Sequence, residues 1–118
     1  MTAPDQAPVS ALEAFEVLDL RVGRVVRCEP NAKARKPAYH LWIDFGEALG
    51  TKESSAQLTA LYTAEALVGR QVVAAVNLGV RVVAGVKSEV LVLGLPDPAG
   101  NVVLLAPERE VPLGGRVY

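Results

Sequence analysis

The sequence predicts a small all-β barrel of five strands, with one short helix between the third and fourth. Three observations carry this expectation. From Leu20 onward, residues alternate polar and apolar with a period of two or run apolar in short stretches, as strands do. Glycines stand within and between these stretches, where a sheet must bend to close. A single capped helix interrupts the strands near the middle of the chain. The 118 residues are enough for one domain. Residues 1–9, with Pro4 and Pro8, read as an arm before a single domain over 10–118.

The elements follow in order. Ser10 with Glu13 forms a capping box and opens a short helix, in which Leu12 and Phe15 share a face. Arg21 to Cys28 mixes β-branched and long basic residues, as a half-exposed strand does. Gly23 within it marks an expected bulge or sharp bend, and Pro30 and Asn31 end it. In the second strand Tyr39, Leu41, Ile43 and Phe45 face inward, and His40, Trp42 and Asp44 outward. Thr51 to Thr59 is a more polar third strand, whose inward parity is open. Thr63 caps a helix over 64–68, with Gly69 just past its end. Val72–Val76, Val90–Leu95 and Val102–Ala106 are nearly continuous apolar runs, expected to be strands covered on both faces. A loop joins the last two. Strand–strand–strand–helix–strand–strand is the order of an OB-fold; a two-sheet sandwich is the alternative.

Apolar residues on both parities of 72–76 and 90–93 require a second cover outside the barrel. In so small a chain that points to a second copy, a homodimer, with the N-terminal helix and C-terminal tail as lesser covers.

Composition removes several function classes. With 51% hydrophobic and 21% charged residues the chain is not disordered. No apolar run approaches the roughly 20 residues of a membrane-spanning helix, so membrane insertion is not expected. Met1 to Val9 show neither a basic nor an apolar signal region, and a cytoplasmic location is expected. The one cysteine, Cys28, allows no internal disulfide, and the one histidine, His40, no zinc site of several Cys and His ligands. No nucleophile elbow, P-loop or dinucleotide fingerprint occurs, so neither enzyme activity nor a cofactor is expected. Asp44 and Glu47 read as solvated turn acids and Cys28 as a buried small residue.

The net charge is −1, but residues 20–40 hold six bases (Arg21, Arg24, Arg27, Lys33, Arg35, Lys36) against Glu29 alone. A local cationic face is therefore compatible with a near-neutral chain. Arg35, Lys36, His40, Trp42 and Lys52 supply the mixture of cations and an aromatic platform that single-stranded nucleic acids use. Outward-facing Trp42 either packs on the N-terminal helix or a second copy, or stacks on a base. The loop over 33–38 offers three cations to phosphates, or is simply solvated.

The strings Asp19-Leu20-Arg21-Val22-Gly23-Arg24-Val25-Val26, Leu61 to Val73, and Asn77-Leu78 followed by Gly85-Val86-Lys87-Ser88-Glu89 resemble the tRNA-binding OB-domain superfamily. Ala34 to Tyr39, Ile43-Asp44-Phe45-Gly46, Ser54-Ser55-Ala56-Gln57 and Ser88 to Gly94 resemble its CsaA family of secretion-associated chaperones. That resemblance implies a dimeric OB-fold that binds unfolded or pre-secretory polypeptides, with the export machinery as a further partner. The superfamily implies tRNA binding, and an auxiliary factor to tRNA or aminoacyl-tRNA synthetases is the alternative role. The residues it implies are Arg35, Lys36, Lys52, Arg81 and Lys87 on phosphates, Asn77, Ser88 and Glu89 on base edges, and Ser54 beside them. The chain departs from the superfamily pattern at Gly79-Val80 and at Val90-Leu91.

Overall fold

A computed structural model describes residues 10–118; the expected arm over 1–9 lies outside them. The order is α1 (Ala11–Val17), β1 (Leu20–Pro30), β2 (Tyr39–Asp44), β3 (Thr51–Ala56), α2 (Ala64–Leu67), β4 (Gln71–Ala75), β5 (Arg81–Val83), β6 (Val86–Ser88), β7 (Leu91–Val92), β8 (Gly94–Pro96) and β9 (Val102–Leu104). The main sheet runs β3-β2-β1-β4-β7, all antiparallel. Beyond β3, the Glu89 amide donates to the Glu53 carbonyl at 2.8 Å and the Ser54 hydroxyl to the Val90 carbonyl at 2.8 Å. These contacts bring the last strand of the sheet back to the first and nearly close a five-stranded barrel, an OB-fold.

The alternation on β2 sets the core. Leu41, Ile43 and Phe45 are almost wholly buried, and they pack with Val25, Leu58, Leu67, Val72 and Val90. Burying each such side chain contributes about 1.5–3 kcal/mol. Thr63 accepts a hydrogen bond from the Ala66 amide and starts α2, whose Leu67 is fully buried in the barrel. Ser10 likewise accepts from the Glu13 amide, but α1 buries none of its residues, and Leu12, Phe15 and Val17 stay exposed.

Four expectations change. The bulge in β1 lies between Val25 and Arg27, not at Gly23. Gly23 instead serves close approach, since a Cβ there would lie 2.6 Å from Ile43 Cγ2 and 2.8 Å from the Phe45 ring. The third strand ends at Ala56, and its parity is settled by Ser54, which is buried with Leu58. The apolar run 90–95 is two strands, not one: β7 pairs with β4, and β8 leaves the barrel to pair with β9. Gly94 makes the crossing, because a Cβ there would meet Val102 Cγ1 at 2.5 Å. Finally, 81–88 is a hairpin that the sequence reading missed. Its two turn residues, Ala84 and Gly85, both have positive φ (47° and 80°), as the turn matching strand twist requires.

The C-terminal tail returns along β1. Val22 and Gly114–Gly115 exchange backbone bonds, and the Val117 amide donates to the Leu20 carbonyl at 2.9 Å. Arg21 donates to the Gly114 carbonyl at 2.9 Å. The tail thereby covers part of the apolar outer face that Val22, Val73 and Leu93 present; Leu91, Leu95 and Val103 remain exposed.

Candidate nucleic-acid interface

The outer face of β1–β2–β3 is built from register. Arg27 stands opposite Trp42, and Trp42 opposite Glu53; Glu29 stands opposite His40, and His40 opposite Ser55. Trp42 is half-buried on this face, between two neighbouring side chains. The His40 ring stacks on the indole, centroids 3.8 Å apart and 20° from parallel, and the Arg27 guanidinium carbon lies 4.3 Å from the indole centroid. Arg27 also pairs with Glu29, and His40 Nε2 lies 2.7 Å from Glu53 Oε1. Arg27, one of the six bases of the cationic segment, and Glu53, which the sequence does not single out, thus adjoin the candidate site. Pairing across strands is the signal that would have found them.

Beside this face, the β1–β2 loop is held by its own backbone. The Asn31 amide donates to the Ala38 carbonyl at 2.9 Å, and the Asn31 side chain accepts from the Lys33 amide at 3.1 Å. The Asn31 side chain also donates to the Ala84 carbonyl at 3.4 Å, tying the loop to the tip of the β5–β6 hairpin. Between loop, β3 end and hairpin tip lies a cleft of about 350 Å³ lined by Arg35, Lys36, Ser55, Gln57, Val83 and Ala84. Arg35, Lys36, Arg81 and Lys87 are exposed and make no ion pair among the described residues.

The other expected residues are placed differently. Ser54 is inside the barrel, its hydroxyl spent on Val90. Ser88 accepts from the Ser55 amide at 3.4 Å, and Glu89 accepts from the Glu53 amide at 3.3 Å, while Lys52 Nζ lies 3.8 Å from Glu89 Oε2. This Ser-Glu pair closes the barrel seam and uses there the groups expected to read base edges. Asn77 accepts from the Asp19 amide at 2.9 Å and donates to the Val17 carbonyl at 2.8 Å, so its amide latches the α1–β1 junction.

On the other flank of β1 lies an apolar groove of about 460 Å³, with Leu20, Val73, Leu93, Leu105, Val111 and Val117 among its walls. Cys28 is far from nucleophilic character: burial, then the carboxylates of Glu65 and Glu29, push its thiol from 9.0 up to about 11. Hydrogen bonds from the Asn101 amide and its neighbours hold the Asp97 carboxyl, in the β8–β9 turn, below its ordinary value. No group of His, Cys, Asp and Glu among the described residues is arranged to hold a metal. No helix there is long and apolar enough to cross a membrane.

The topology with its cationic rim is that of a small OB-fold domain, and the comparisons with known proteins give its family. A family model described as a putative tRNA binding domain matches residues 20–116, and the chain belongs to that family. Within it the chain groups with CsaA. The structure of chaperone CsaA from Bacillus anthracis is 50% identical, with a TM-score of 0.86, over 94% of this chain and 100% of that one. CsaA chaperone protein from Picrophilus torridus is 37% identical with a TM-score of 0.85, over 93% and 100%. The methionine–tRNA ligase of Methanothrix thermoacetophila is 38% identical over 92% of this chain but only 16% of its own length. The chain therefore spans about a sixth of the curated relatives it matches.

Proposed function

We propose that the protein is a non-catalytic binding protein that takes tRNA on the rim formed by the β1–β2 loop and the β5–β6 hairpin. The observation that carries this is a set of cations without ion pairs among the described residues: Arg35 and Lys36 line a 350 Å³ cleft beside the His40–Trp42 pair, and Arg81 and Lys87 stand on the β5–β6 hairpin whose tip lines that cleft. Cations without carboxylate partners are free to displace the counterions of phosphates. The loop's bonds to the hairpin hold them without the cost of ordering a free segment. Lys52, Asn77, Ser88 and Glu89 serve this reading as supports of the seam and the junction.

The experiment is a titration of labelled tRNA at rising salt with wild type and R35A/K36A. The double variant binds roughly tenfold more weakly at low salt, and its log–log salt slope is shallower by about 1.5–2. Equal affinity and slope would remove the loop from the site.

The apolar groove supports a second reading alongside the first, a chaperone for unfolded or pre-secretory polypeptides like the CsaA proteins it resembles, working with the export machinery in the cytoplasm. Its walls offer a place for client side chains that have left water. Suppressed aggregation of a heat-denatured client tests it, and equal aggregation with and without the protein would refute it. The exposed apolar residues of α1 and of 78–83 support a homodimer; sedimentation of a single 12.5 kDa particle through a dilution series would contradict that.

A further inference from the structure

We propose that RNA binding at this face is proton-linked through His40, so that acidification tightens it. This rests on the tRNA reading above, but its first measurement needs no RNA.

The chain has one histidine and one tryptophan, and they are stacked on each other. His40 Nε2 lies 2.7 Å from a Glu53 carboxylate oxygen, which when ionised can only accept. In the neutral ring, Nε2 therefore carries the proton and Nδ1 the lone pair. No described residue bonds Nδ1. The side chain retains 21% of its exposure, so solvent protons reach it. Protonation adds an N–H donor at Nδ1 and a positive charge, both on the face that carries the indole and adjoins the cationic cleft. Histidine is the side chain whose ordinary titration falls between about pH 5 and 8.

The charged surroundings make the change discrete. From β1, Arg27 and Glu29 face the pair and neutralise each other; from β3, Glu53 faces it alone. With His40 neutral, the Glu53 charge is a net repulsion to a phosphate. With His40 protonated, the His40–Glu53 couple is neutral, as the Arg27–Glu29 couple beside it already is. Acid thus removes the negative charge nearest the indole, while Asp44, two residues further along β2 and bonded to the Gly46 amide, keeps its own.

The test uses the full chain. Trp42 emission, excited beyond the tyrosine band, is followed from about pH 5 to 8 in wild type, H40Q and W42F, and tRNA affinity is measured across the same range at fixed ionic strength. A protonated imidazole quenches a stacked indole by accepting an electron from its excited state. Wild-type emission therefore falls on acidification, and tRNA affinity rises roughly two- to fivefold over the same interval, the size of one surface charge contact. H40Q is flat in both. W42F loses the optical signal and keeps the change in affinity. Emission that does not titrate, or an H40Q affinity profile that follows wild type, overturns the proposal. Emission that titrates while tRNA affinity stays constant also overturns it, and leaves the RNA reading intact. Absence of tRNA binding at every pH defeats both.

Discussion

The rim and the groove sit on two flanks of the same strand, β1, and use opposite physics. The rim places Arg35 and Lys36 in a cleft and Arg81 and Lys87 on the adjoining hairpin, without ion-pair partners among the described residues. The groove collects Leu20, Val73, Leu93 and Leu105, with the C-terminal tail as a partial roof. The first attracts a charged polymer over a distance that salt controls. The second holds apolar groups by contact, with little response to salt. One small barrel can thus present two independent binding chemistries, because β1 is long enough, at 11 residues, to serve both.

The shared barrel is where the comparison breaks most completely. Phe45→Ala removes a fully buried ring and is expected to cost about 3–5 kcal/mol. Chemical denaturation should show the loss, with rim and groove failing in the same transition. Two separate transitions would mean that the flanks do not share a core. Cys28, at the inner end of β1, reports on the intact barrel. A thiol raised from 9.0 to about 11 holds roughly a hundredfold less thiolate at pH 8 than one at its ordinary value, so alkylation is slow in the native state and speeds up on unfolding. Rapid alkylation of the folded protein would contradict that burial. Ser54→Ala removes the shorter of two hydroxyl bonds to the Val90 carbonyl, that of Ser88 at 3.3 Å remaining, and should cost roughly 0.5–1.5 kcal/mol. Because Ser54 lies under the rim side of the seam, tRNA affinity should fall before groove binding does. Val73→Asp sharpens the contrast from the other flank, weakening an apolar probe several-fold and leaving tRNA affinity within about twofold, as distant surface changes do.

The barrel itself was legible because its signals are local. Tyr39 to Phe45 alternates cleanly, and Ser10 and Thr63 cap helices where hydroxyl residues precede them. What the sequence hid were the places where two distant backbones meet. Periodicity cannot break the run 90–95, since only the approach of Val102 to Gly94 makes it leave the barrel. Ala84-Gly85 is a less marked turn than Asn-Gly, so the β5–β6 hairpin was missed, and with it the tip that anchors the basic loop. Of the candidate site, the exposure of the cations and the outward parity of His40 and Trp42 were legible. It was not legible in Asn77, Ser88 and Glu89, polar residues of a kind that reads bases as readily as it closes a seam. Their partners, 33 to 60 residues away, decide between the two.

One titration tests directly whether rim and groove are independent. A single sample is saturated with an apolar fluorescent probe, and labelled tRNA is added at several salt concentrations. The account predicts that tRNA affinity falls steeply with salt, that probe affinity hardly changes, and that neither displaces the other. Stoichiometric expulsion of the probe by tRNA, or tRNA affinity indifferent to salt, would contradict it.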